Sequence, residues 1–285
     1  MIYISSSCIK KTKIADCVEE LAENDFLNIE LSGGTKFYDG LIDDLLELKM
    51  RFNLNYLVHN YFPPPLNSFV FNLSSLDKEI EKRSISHALN AIENASILGC
   101  DKIGFHAGFL INIPVNKIGG KINRQKLFNK TLAINKFIEN YHILKSTADE
   151  LNISIYIENN VLSFENLKTF QENPFLFVES SELQFFNENL NDFKYIFDYA
   201  HSYVSSKSLG LNVENEFDNF TTNTDYIHLS DNNGKSDTNF NIFINSPIYN
   251  HLMNHPPINK TITLEVYEEI DEIKQTYKWL NNLIQ

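Results

Sequence analysis

The chain has 285 residues, a formal charge of −13 and a pI near 5.0, a balance that repels polyanions at long range and argues against nucleic acid as a partner. Apolar residues make up 43%, with 22 Phe and 13 Tyr, so a large core can form without a structural metal, and any metal present would serve chemistry. Cys8, Cys17 and Cys100 lack C-x-x-C spacing, there is no signal-like N-terminus and no run of 18 apolar residues, so a cytoplasmic protein without a membrane partner is expected.

Taken in chain order, short apolar runs alternate with longer amphipathic stretches. The predicted strands are Ile2 to Ser6, Leu27 to Leu31, Tyr56 to Asn60, Lys102 to His106, Ile153 to Glu158, Tyr195 to Asp198, Tyr226 to Leu229 and Thr261 to Val266. Helices are predicted between and after them over Thr12 to Glu23, Leu41 to Arg51, Asp77 to Leu98, Asn123 to Leu151, Ser163 to Gln171, a weak region from about Tyr203 to Phe220, another around Pro247 to Asn254, and Glu269 to Leu283. Eight βα units in one chain predict a (β/α)8 TIM barrel over residues 1–285, because no linker or repeat divides it. Three long loops, Tyr61 to Ser75, Ala107 to Lys121 and Asp231 to Ser246, follow strands, where such barrels carry their sites.

The chemistry is carried by what ends the strands. Glu30, His59, His106, Glu158, Asp198 with His201, His228 with Asp231, and Glu265 each stand at or just past an apolar run, where a barrel would gather them at one mouth. A polar residue at one strand end is usually a loop former. Carboxylates and imidazoles ending successive strands would have to be desolvated together unless a cation or substrate neutralised them. Glu158, Asp198, His228 and Glu265 are therefore expected to ligate one divalent ion, with Mn, Mg, Co or Zn all suited to three oxygen donors and one imidazole.

At these residues the chain resembles the xylose isomerase-like TIM barrels, which include sugar phosphate isomerases and epimerases, sugar-acid and cyclitol dehydratases, and the endonuclease IV group. The motifs are His-Asn-Tyr-Phe at 59–62, His-Ala-Gly at 106–108, Glu-Asn-Asn at 158–160, Asp-Tyr-Ala-His at 198–201, His-Leu-Ser-Asp at 228–231 and Leu-Glu-Val at 264–266. The resemblance implies that Glu158, Asp198, His228 and Glu265 are the metal ligands of an epimerase-like site. It also implies that Glu158 and Glu265 are the acid/base pair working through an enediolate, and that His201 binds a substrate oxygen. His59 and His106 are read as substrate-binding in preference to holding a second metal with Glu158.

The expected function is accordingly a metal-dependent isomerase or epimerase of a small polyhydroxylated substrate, a sugar or sugar derivative. A dehydratase using the same site is the first alternative and a zinc phosphodiesterase of the endonuclease IV kind the second. Against the latter, Asn239 stands where that group has a histidine after Asp237, and an amide is a poor transition-metal ligand. His87, His142, His251 and His255 are read as structural or exposed, Lys36 and Lys235 as solvated, and the cysteines as buried thiols. Phe62, Phe69 and Phe71 fit a hydrophobic lid, an oligomer contact or a loop packing its own aromatics, and homo-oligomerisation is left open.

Overall fold

The computed structural model describes residues 1–285, and in it the eight predicted strands form a closed, all-parallel barrel. The chain runs β1 (Ile2–Ser5), α1 (Ile14–Glu23), β2 (Asn28–Leu31), α2 (Leu41–Phe52), β3 (Asn55–His59), α3 (Lys78–Ile97), β4 (Lys102–His106) and α4 (Lys130–Glu150) through its first half. It continues with β5 (Ser154–Glu158), α5 (Phe164–Phe170), α6 (Leu183–Asn189), β6 (Tyr195–Asp198), α7 (Tyr199–Leu209), α8 (Val213–Thr221), β7 (Tyr226–Leu229), α9 (Pro247–Asn254), β8 (Thr261–Leu264) and α10 (Ile270–Leu283). Strands pair in sequence order, and β8 closes on β1 with Ile2 opposite Ile262. This is the (β/α)8 TIM barrel that the alternation predicts. No helix is long and apolar enough to cross a membrane.

Two hydrophobic layers fix the position of the site. The larger core lies between strands and helices and contains Val58, Phe105, Ile157, Phe197 and Ile227. A separate buried cluster of Tyr3, Leu57, Tyr156, Ile196 and Tyr226 comes from five different strands. Side chains two apart on a strand share a face. Leu57, Tyr156, Ile196 and Tyr226 therefore lie one layer beneath His59, Glu158, Asp198 and His228, and form an apolar floor under a polar mouth.

The departures from the sequence reading are local. The long fourth helix starts at Lys130, capped by the Asn129 side chain, rather than at Asn123. Tertiary hydrogen bonds hold the intervening stretch out of the helix: Ile122 N donates to Asn166 Oδ1, Gln125 Nε2 to the Asn112 carbonyl and Phe128 N to the Leu110 carbonyl. The weak helical region near Tyr203 to Phe220 is two helices, α7 and α8, separated by Gly210 at φ 72°. The short α6 has no counterpart in the periodicity. Phe62, Phe69 and Phe71 are buried, Phe71 stacking on Phe105 at 5.5 Å between centroids, so that loop packs its own aromatics into the barrel wall. All three cysteines are buried and free.

Candidate metal centre at the barrel mouth

Glu158 ends β5 at the middle of the site, and its two carboxylate oxygens face different partners. Oε2 lies 2.9 Å from His59 Nε2 and 2.9 Å from His106 Nδ1. Oε1 points at His228 Nδ1, 3.2 Å away. Glu265 follows β8 and brings its Oε2 within 3.7 Å of the same nitrogen, while its Oε1 accepts from Ser7 Oγ at 3.0 Å and Tyr267 OH at 3.3 Å. Asp198 caps α7 by accepting from His201 N at 2.7 Å through Oδ1, which leaves Oδ2 uncommitted. Ligand atoms of Glu158, Asp198 and His228 lie within 4.8 Å of one another.

His228 is oriented from behind. Its Nε2 donates to Glu30 Oε2 at 3.1 Å, and Tyr226 OH and Thr263 Oγ1 donate to the same oxygen. With the proton held on Nε2, the Nδ1 lone pair is directed at Glu158 and Glu265, the arrangement by which a carboxylate fixes a metal-binding imidazole. The Asn159 side chain holds the backbone of Asp198: its Oδ1 accepts from Asp198 N at 2.7 Å and its Nδ2 donates to the Asp198 carbonyl at 3.1 Å, while its own carbonyl accepts from His201 Nδ1 at 2.8 Å.

Three observations fit this centre to a divalent cation. His228 Nδ1 and Glu158 Oε1 are both buried without a hydrogen-bond partner, although they face each other, and polar atoms rarely stay so unless something else engages them. Asp198 is pushed up to about 7, by burial and by the Glu158 and Asp237 carboxylates against the pull of His201. The donor set itself, carboxylates with one imidazole, suits Mn, Mg, Co or Zn. Glu265, by contrast, is held down to about 2: burial opposes its charge, but His228, when it carries a proton on Nδ1 as well as Nε2, outweighs that. Glu158 also stays well below the carboxylate range despite burial, through His106, His59 and His228.

The remaining sequence candidates divide by access. The His106 side chain is 28% exposed and borders a cavity, whereas that of His59 is 4% exposed and its Nε2 is committed to Glu158. His201 reaches Asp237 Oδ2 through Nε2 at 3.3 Å. Asn239, at φ 49°, gives its carbonyl to Tyr267 N at 2.8 Å and holds a left-handed turn of the 230–246 loop. Asp231 is likewise structural, accepting from Asn232 N and Phe243 N to fold that loop back on itself. From His106, His201 and Asp237 a cavity of about 170 Å³ runs outward, with Phe109, Ile118, Val161 and Phe175 on its wall. Glu30, Asn159 and Gly104 are the residues that sequence reasoning left without a role. An alanine Cβ at Gly104 would come within 2.5 Å of His59 Cδ2 and Ile196 Cδ1, so the bare glycine makes room for His59 to reach Glu158.

The family model described as xylose isomerase-like TIM barrel matches residues 15–283. The chain belongs to this family. Among solved structures, a D-tagatose 3-epimerase-like protein superposes with a TM-score of 0.71 at 18% identity, covering 100% of this chain and 99% of that one. D-psicose 3-epimerase from Clostridium cellulolyticum gives 0.65 at 13% identity, with 100% and 99% covered. Endonuclease IV from Thermus thermophilus gives 0.61 at 15%, with 99% and 98% covered. At these identities the likeness is one of fold. No curated protein matches by sequence.

Proposed function

We propose that this xylose isomerase-like barrel is a divalent-metal-dependent isomerase or epimerase of a sugar or sugar derivative. The observation that carries the reading is the convergence of Glu158 and Glu265, from β5 and from the end of β8, on His228 Nδ1 at 3.2 and 3.7 Å. Glu158, Asp198, His228 and Glu265 would hold the ion. When bound, it supplies Lewis acidity that makes a hydrogen beside a carbonyl easier to remove.

The chain's own groups then move the proton. Glu158 and Glu265 face the ion's place from different strands, as removal and return of a proton on two faces of one carbon requires, so either can act as base. Ser7 and Tyr267 hold one oxygen of Glu265, leaving the other for substrate or metal. His106 can return a proton to Glu158 Oε2, on which it sits, and His201, its Nδ1 held by the Asn159 carbonyl, can give its Nε2–H to a substrate hydroxyl in place of Asp237 Oδ2. The adjoining cavity of about 170 Å³ has room for a ring-sized group, since an engineered apolar cavity of about 150 Å³ holds benzene. That favours a substrate with an apolar part over a bare triose.

The test is solvent exchange. Protein reconstituted with Mn²⁺ is incubated in D₂O with D-psicose, D-tagatose, D-fructose and their aryl or alkyl derivatives, and carbon-bound hydrogen is followed by NMR. Deuterium uptake with appearance of an epimer or isomer is expected; uptake followed by loss of a hydroxyl would assign the dehydratase alternative. A second reading is favoured by one observation, the grouping of His59, His106 and Glu158 within 4.8 Å, which could hold a further ion as a phosphodiesterase requires. Cleavage of abasic-site DNA without any sugar exchange would replace the isomerase reading with that one.

A further inference from the structure

The barrel mouth is not the only place where metal-binding side chains meet. Glu214 and Asp218 are four apart on α8, and His251 and His255 are four apart at the end of α9, so each pair presents one helix face to the other. His251 Nδ1 lies 3.1 Å from Glu214 Oε1 and 4.0 Å from Asp218 Oδ1, and His255 Nε2 lies 3.9 Å from Asp218 Oδ1. The two imidazoles stack at 4.8 Å between centroids. One ligand atom from each of the four residues falls within 4.8 Å of all the others.

Two features separate this cluster from an ordinary solvated acidic face. Neither carboxylate is paired with a lysine or arginine; the two histidines are their only ion-pair partners. His251 is fully buried, wedged against Tyr199 and Phe217. Its one polar edge with neighbours is Nδ1, which is aimed into the cluster. The result is a buried imidazole nitrogen facing two half-exposed carboxylates that no lysine or arginine neutralises, a donor set open to a cation from solvent.

We propose that Glu214, Asp218, His251 and His255 form a second metal site, independent of the barrel mouth, for a borderline divalent ion such as Zn²⁺ that clamps α8 to α9. Two imidazole nitrogens and two carboxylate oxygens make up a four-donor set that zinc accepts in tetrahedral geometry. With bonds of about 2.0 to 2.2 Å, donors around such an ion stand about 3.4 Å apart. The 3.1 Å pair already meets that spacing, and the half-exposed Glu214, Asp218 and His255 side chains are free to close the rest. The ion would anchor α9, which follows the 230–246 loop bearing Asp237, so its role is to brace that side of the fold.

The experiment titrates ZnCl₂ into chelator-stripped full-length protein by calorimetry, comparing Asp198→Ala with the double variant Asp198→Ala/His255→Ala. Asp198→Ala disables the barrel centre and should retain zinc uptake together with a zinc-dependent rise in Tm. Adding His255→Ala, a half-exposed position, should weaken that uptake by at least about tenfold and remove the rise in Tm. Asp218→Asn in the same background should do likewise. Identical titrations for the single and double variants, or no uptake by folded Asp198→Ala, would overturn the second site. Neither result bears on the barrel centre, which is read by comparing wild type with Asp198→Ala.

Discussion

Replacing Glu30 by Gln isolates the contribution of a residue that touches neither the proposed ion nor the substrate. Glu30 is fully buried, and its Oε2 receives His228 Nε2, Tyr226 OH and Thr263 Oγ1 together. A glutamine keeps the shape and one acceptor oxygen, so the barrel should fold, but the negative charge behind His228 is gone and its amide can turn a donor toward Nε2. That turns the imidazole toward the tautomer with its proton on Nδ1, the atom facing Glu158 and Glu265. Losing such a supporting carboxylate weakens metal binding by about 10- to 100-fold, which is about 1.4 to 2.7 kcal/mol. Calorimetric titration of Mn²⁺ into metal-free wild type and Glu30→Gln measures it, with far-UV circular dichroism to check the fold. Equal affinity in the two proteins would refute the idea that Glu30 sets the tautomer of His228.

Glu158→Gln and Glu265→Gln should each lower turnover by about 10²- to 10⁴-fold, the usual contribution of a positioned acid or base, with the fold retained; deuterium exchange into whichever of the candidate sugars the wild type turns over reads this, and wild-type exchange in either variant would remove that glutamate from the chemistry. Gly104→Ala should displace His59 from Glu158 and destabilise the barrel by about 1 to 3 kcal/mol, as overpacked core positions do, measured by urea unfolding; an unchanged midpoint would contradict the tight fit beneath His59. His87, buried among Tyr61, Phe69 and Phe71, is lowered by burial to about 4 from an ordinary 6.5. The unfolded chain therefore takes up its proton first, so stability is lost as pH falls from about 6.5 to about 4, by about 3 kcal/mol in all. His87→Phe should remove that increment when unfolding is compared at pH 7 and pH 4.5, and parallel losses in variant and wild type would refute it.

The strand ends were legible because an apolar run that stops at a carboxylate or imidazole marks both the strand and its C-terminal end. What they do to one another was less so. Glu30 carries the same strand-end signature as Glu158, but its role depends on His228, 198 residues away and across the barrel. Gly104 reads as an unremarkable strand glycine until the inward face of β4 is set beside His59. Asn159 was visible inside the Glu-Asn-Asn motif, yet its grip on Asp198 is made of backbone contacts that no residue pattern encodes. The periodicity places the start of α4 too early because Asn166 of α5 and the backbone carbonyls of Leu110 and Asn112 hold residues 122–128 out of the helix. Likewise, the four-residue spacings on α8 and α9 stand in the sequence, but only the packing of those two helices brings the carboxylates to His251.

Elemental analysis of protein purified without added metal or chelator tests the barrel-mouth centre most directly, with Asp198→Ala and His255→Ala prepared alongside. Wild type should carry a divalent ion at the barrel mouth that Asp198→Ala loses and His255→Ala keeps. Metal content unchanged by Asp198→Ala, or no uptake at that centre even after reconstitution, would contradict a metal-dependent site there.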